Sequence, residues 1–119
     1  MRSVNLRHSA RAVILDDTDR VLLGRLTIPG PRTATVVWAA PGGGLEPGES
    51  SLAALRRELM EEVGLDLYAD PPHIWHQRVL APDHVPGYDG VVNDYFFVRT
   101  MPFTPRGAMA AAENISFPS

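Results

Sequence analysis

The chain contains no cysteine, which excludes disulfides, a thiolate nucleophile and cysteine-based zinc sites. It has no apolar run approaching the ~18 residues of a membrane span. Met1-Arg2-Ser3 leads into a strand pattern rather than into the apolar segment of a signal peptide. No membrane association is expected, and the cytoplasm is the expected location. A basic excess is also missing, because 11 basic residues face 14 acidic ones and the formal charge is −3. A large nucleic-acid surface is therefore not expected. What remains is 119 residues with 45% hydrophobic content. That suits one globular domain over residues 1–119, able to bury about two thirds of its unfolded surface.

The informative stretch is residues 43–65, where a glycine-rich turn runs into an acidic helix pattern. Leu52, Leu55, Leu59 and Val63 recur at the three-and-four spacing of a buried stripe. Ser50 or Ser51 suits the N-cap, and Gly64 before Leu65 suits a left-handed stop, so a helix is predicted over about 50–63. Glu58, Glu61 and Glu62 then fall within an arc of about 100° beside the apolar stripe. Like charges at such spacing repel by about 0.2–0.5 kcal/mol per pair. A divalent cation among them removes that cost, and Mg²⁺ prefers a few carboxylates completed by water and substrate phosphates.

The spacing has a second reading. Gly43, Glu49, the pair Arg57-Glu58, Leu59, the pair Glu61-Glu62 and Gly64-Leu65 together match the Nudix box, and the chain resembles the Nudix (MutT-like) hydrolases. Trp38-Ala39-Ala40-Pro41-Gly42 also resembles that family's entry strand. The resemblance implies an α/β Nudix fold, a mixed β-sheet sandwiched between helices (α/β/α). It implies that Glu58, Glu61, Glu62 and the Gly43 carbonyl hold Mg²⁺, with Mn²⁺ as an alternative, and that one of the three glutamates helps deprotonate the attacking water. Arg57 would pair with Glu49 or Glu58 and orient it. The implied reaction is hydrolysis of a phosphoanhydride in a nucleoside diphosphate linked to another group, so the partner is a nucleotide-derivative small molecule. The alternative is a catalytically silent Nudix domain that senses a nucleotide or binds a partner.

The rest of the chain supplies scaffold and further candidates. Residues 8–15 and 21–25 read as a hairpin around a polar turn, with Arg25 at a strand end as a substrate-contact candidate. Residues 26–35 read as an irregular loop and 36–38 as a short strand that buries Trp38. Residues 73–80 read as a strand whose His73 and His76, three apart, point to opposite faces, which argues against a shared metal site. Tyr88, in the loop over 81–90, is a candidate for stacking on a base or ribose. In the strand 91–99, Asp94 lies on an otherwise apolar face, needs a partner if buried, and is a pocket candidate. Beyond residue 100 the resemblance fades. A helical turn is expected over 108–113, and the family's C-terminal strand and helix read as missing or shortened, by truncation after about 116 or as a divergent minimal form. That leaves a sheet face for a homodimer partner to cover. Glu113, the glutamate beyond the box, is the candidate for a further metal ligand.

Overall fold

A computed structural model of the chain describes residues 4–80, 87–101, 103 and 114–116. In chain order the elements are β1 (Leu6–Leu15), β2 (Leu23–Ile28), β3 (Thr35–Ala39), β4 (Gly42–Gly44), α1 (Ser51–Val63), β5 (His73–Leu80), β6 (Gly90–Arg99) and β7 (Asn114–Ser116). β1 and β6 run parallel along their whole length, from Leu6 opposite Gly90 to Leu15 opposite Arg99. β4 and β5 add antiparallel edges, giving a mixed sheet of order β4-β1-β6-β5. A second sheet, antiparallel, has order β3-β2-β7. The class is α/β with a mixed sheet, and among the described residues a three-residue strand, β7, follows β6. The helical turn expected at 108–113 and Glu113 lie outside the described residues.

The core forms where one face of this sheet meets α1. Alternation along β1 places Ala10, Ala12 and Ile14 on that face, fully buried, and the parallel register sets Phe96 and Val98 of β6 beside them. From α1, Ala54, Leu55, Leu59 and Val63 pack against them, with Leu52 partly buried at the margin. The helix ends are set locally. Ser50 is extended, and its hydroxyl accepts from the Ala53 N–H at 3.1 Å. Gly64 takes the left-handed conformation at φ 75°. Its N–H reaches the Met60 carbonyl and that of Leu65 the Leu59 carbonyl, at 3.1 and 3.2 Å. Among the described residues no helix is long and apolar enough to cross a membrane.

Three local readings are corrected. The hairpin expected between 8–15 and 21–25 is reduced to its closing turn, where Leu15 bridges Val21, the Asp16 N–H reaches the Arg20 carbonyl and the Leu22 N–H the Ile14 carbonyl, while β2 itself, from Leu23, pairs with β3 and β7. That turn is held by the buried Asp16 carboxylate, which accepts from the Thr18 and Arg20 backbone N–H groups and from the Arg20 Nε. Burial alone would raise the Asp16 carboxyl, but these bonds outweigh it and bring it down to about 2. The loop expected at 26–35 is shorter, since β2 continues past Arg25 to Ile28 and β3 begins at Thr35, which leaves 29–34 as the connection. Trp38 is not core but 50% exposed, because it lies on the β3-β2-β7 sheet and not on the sheet face that α1 covers.

Because Leu59 sits at the centre of the helix-to-sheet contact and has no exposure, Leu59→Ala is expected to cost about 2–5 kcal/mol. Chemical denaturation checks this, and an unchanged midpoint would show that this face is not the core.

Candidate active site

The site is built where β4 crosses the sheet edge and turns into the loop before α1. Antiparallel pairing sets Ala10 opposite Gly43 and Arg11 opposite Gly42. Only glycine fits at position 42, and at position 43 a side chain would displace the Glu58 carboxylate. At Gly42, where φ is 144°, a Cβ would meet the Ala10 carbonyl oxygen at 2.1 Å; at Gly43 it would lie 2.6 Å from the Glu58 carboxylate carbon. The glycine strand thus lets the Glu58 carboxylate press against the backbone.

Arg57 joins the loop to the helix. Its Nε and Nη2 donate to both oxygens of Glu49 at 2.8 and 2.9 Å, its Nη1 donates to Glu58 at 2.8 Å and to Glu61 at 3.3 Å, and its Nη2 also reaches the Gly44 carbonyl at 3.1 Å. The two-pronged contact from Arg57, with the Glu46 N–H, lowers the Glu49 carboxyl to about 2. The same carboxylates raise the Arg57 guanidinium above its ordinary value. Sequence reasoning expected Arg57 to meet Glu49 or Glu58. It meets both.

Glu62 sits on the other side of Glu58. The Gly42 N–H donates to it at 3.1 Å. Burial, reinforced by the adjoining Glu58 carboxylate, pushes the Glu62 carboxyl up to about 7, against the opposing pull of the Gly42 N–H and Arg11. Glu61, by contrast, is mostly exposed and turned toward Arg57. Glu58 and Glu62 therefore adjoin, while the ligand atoms of all three glutamates do not converge within one 4.8 Å sphere.

Beside this cluster lies an open cleft of about 770 Å³, lined among others by Arg7, His8, Gly44, Glu46, Glu58 and Tyr88. Tyr88 is thus placed with the box. Arg25 is not, since it sits in β2 opposite Trp38 in the second sheet. Asp94 lies on the core side of β6, against His8, His73 and His76. Sequence reasoning passed over Arg7 and Arg11. Arg7 packs against Gly44, and Arg11 donates to the Ala40 carbonyl at 3.0 Å and acts on Glu62. Their alternation with His8, Ala10 and Ala12 in β1 was the available signal.

Comparison with known proteins agrees with this geometry. A family model described as the NUDIX domain matches residues 5–114. Over 54 residues the chain is 46% identical to an RNA pyrophosphohydrolase of Legionella pneumophila (strain Corby), a stretch that is 45% of this chain and 27% of that relative. It is 40% identical over 52 residues to the nucleoside triphosphatase NudI of Enterobacter sp. (strain 638), covering 42% of this chain and 37% of that protein. The chain thus spans well under half the length of these curated relatives. Among solved structures, the MutT protein from Methanosarcina mazei Go1 superposes with a TM-score of 0.72 at 21% identity, covering all of this chain and 80% of that one. The E. coli dihydroneopterin triphosphate pyrophosphohydrolase does so at 0.66 and 23% identity, covering 91% and 78%. These two likenesses establish a shared fold. Together with a family model that spans nearly the whole chain, they lead to one conclusion: the chain belongs to the NUDIX domain family.

Proposed function

We propose that the chain is a Mg²⁺-dependent pyrophosphohydrolase that cleaves a phosphoanhydride in a nucleotide derivative. The observation that carries this reading is the pairing of Glu58 and Glu62 against the Gly42-Gly43 backbone, at the edge of a cleft that Arg7 also lines. The names of the relatives, RNA pyrophosphohydrolase and nucleoside triphosphatase, support the same bond chemistry.

The residues fit a hard divalent cation. Two adjoining carboxylates, one of them partly desolvated, leave negative charge uncompensated, and the glycine at 43 leaves room for a main-chain oxygen beside them. Glu58, Glu62 and the Gly43 carbonyl would hold Mg²⁺ or Mn²⁺, with Glu61 joining by a change of rotamer from Arg57. When bound, such an ion supplies charge neutralisation at phosphate oxygens and acidifies water for attack on phosphorus. The chain's own groups do the rest. Arg57 fixes the Glu58 carboxylate and ties down the Glu49 loop, Arg7 offers a cation to the phosphates, and Tyr88 offers a ring to the base or ribose.

Two outcomes follow. Product assays over nucleoside triphosphates, nucleotide sugars, dinucleoside polyphosphates and 5′-triphosphorylated RNA, with Mg²⁺ or with EDTA, are expected to show metal-dependent turnover. In Glu62→Gln it should fall at least ~100-fold, the scale of losing one transition-state contact. Near-wild-type turnover in that variant would remove the assignment, and silence across the panel from the folded protein would favour the sensor reading. The second outcome concerns pH. The native state keeps a proton on Glu62 that the unfolded chain has released between the ordinary value of 4.5 and about 7. Stability should therefore fall as pH rises through that window, by linkage. Without metal, the stability of the wild type relative to Glu62→Gln should drop between about pH 5 and about pH 7.5. A difference that is constant across this range would show that Glu62 is not desolvated.

A further inference from the structure

A second cluster lies away from the box acids. We propose that His73, His76 and Asp94 form a binding site for a borderline divalent cation of the Zn²⁺ type, with His8 and Ser51 holding the carboxylate from behind.

The cluster exists because of an irregularity in β5. In a regular strand, residues three apart face opposite sides, and that expectation separated the two histidines. The ladder instead sets His73 opposite Phe96, Trp75 opposite Tyr95 and His76 opposite Asp94, so the register shifts between His73 and Trp75. Ile74 is the inserted residue and stands 50% exposed. A bulge re-aims side chains and disrupts the ladder locally. Here it places both imidazoles on the Asp94 side of the sheet, while an apolar side chain is left in solvent.

Their donor atoms converge. His73 Nε2 and His76 Nδ1 lie 2.8 and 2.7 Å from the same oxygen, Asp94 Oδ1. Among the described residues this is the group of three histidine, aspartate or glutamate side chains whose ligand atoms all lie within 4.8 Å of one another. The other oxygen, Oδ2, is engaged by His8 Nε2 and, at 3.3 Å, by the Ser51 hydroxyl. Asp94 is thus anchored on its inner side, with only 11% of its side chain exposed, whereas His73 and His76 are 46% and 55% exposed. A carboxylate oriented by fixed partners, with two imidazoles on its solvent side, is a ligand set with supporting groups already in place.

The donors also select the ion. Two imidazole nitrogens and one carboxylate oxygen suit Zn²⁺ and its transition-metal neighbours, with a fourth position left for water. Mg²⁺ prefers oxygen ligands and belongs with the box glutamates. The chain therefore offers two cation sites of different hardness. The second would join β5 and β6 and, through His8 and Ser51, the first strand and the first turn of α1.

The test uses the full chain, stripped of metal and held in saturating Mg²⁺. Zn²⁺ is titrated by calorimetry, and Co²⁺ is followed by its visible absorption, which reports four-coordination. The expected result is one equivalent of Zn²⁺ bound in the presence of Mg²⁺, retained in Glu62→Gln. Binding should weaken at least ~10-fold in His73→Gln and in His76→Gln, where the amide can still donate to Asp94 and circular dichroism checks that each variant is folded. Zn²⁺ affinity weaker than ~100 µM in the wild type, or binding unchanged in both histidine variants, would overturn the proposal.

Discussion

The Arg57 guanidinium is the joint on which the rest of the site depends. Its donors are spent on Glu49, Glu58, Glu61 and the Gly44 carbonyl, so a single planar group fixes the loop before the helix, the strand β4 and the helix itself relative to one another. Without it, carboxylates would face each other across a loop that has no apolar anchor except the partly buried Leu45. A lysine could not replace it, because a point charge cannot meet both oxygens of Glu49 in one plane while also reaching Glu58. The cluster is in effect a balance. Arg57 compensates Glu49 and Glu58, and Glu62 is left as the carboxyl that burial and the adjoining Glu58 push toward its protonated form.

That balance has to be held on something rigid, and β1 is the strand that does so. It pairs with β6 on one side and β4 on the other, so it is the strand through which the core face and the cleft are joined. Its residues divide by parity. Ala10, Ala12 and Ile14 are small or branched and let α1 approach closely, whereas Arg7 and Arg11 carry charge toward the glycine strand. His8 belongs to the first set by parity but lies at the end of the strand where the helix begins. It therefore lines the cleft and touches Asp94 as well. The helix is packed from the same strand that presents the cations, so the acids and the arginines keep a fixed separation.

How far the sequence could be read follows from the distance over which each feature is determined. The helix over 51–63, its Ser50 cap, its Gly64 stop and its buried stripe were all legible, because each depends on neighbours within a turn or two. The Arg57 contacts were legible for the same reason. The partnering of β2 was not, since one of its two neighbours, β7, lies about 90 positions further along the chain. Trp38 was misplaced because hydrophobicity marks a strand without saying whether anything covers it. Asp94 was singled out as needing a partner, and its partners, three histidines and the Ser51 hydroxyl, were not identified from the sequence.

The histidines show where the limit lies. Strand periodicity is a rule about regular backbone, and the separation of His73 from His76 was a correct deduction from a premise that one inserted residue removes. No composition signal marks that bulge: Ile74 is an ordinary strand former, and neither glycine nor proline interrupts β5. The irregularity faces a strand in which Asp94 sits buried among apolar residues, with His73 and His76 within hydrogen-bond reach of it. A buried carboxylate with no arginine beside it and histidines nearby in the chain therefore carries more information than the spacing of those histidines does. The demand of a buried carboxylate for partners is the better guide to which side chains meet, because strand parity holds only while the ladder stays regular.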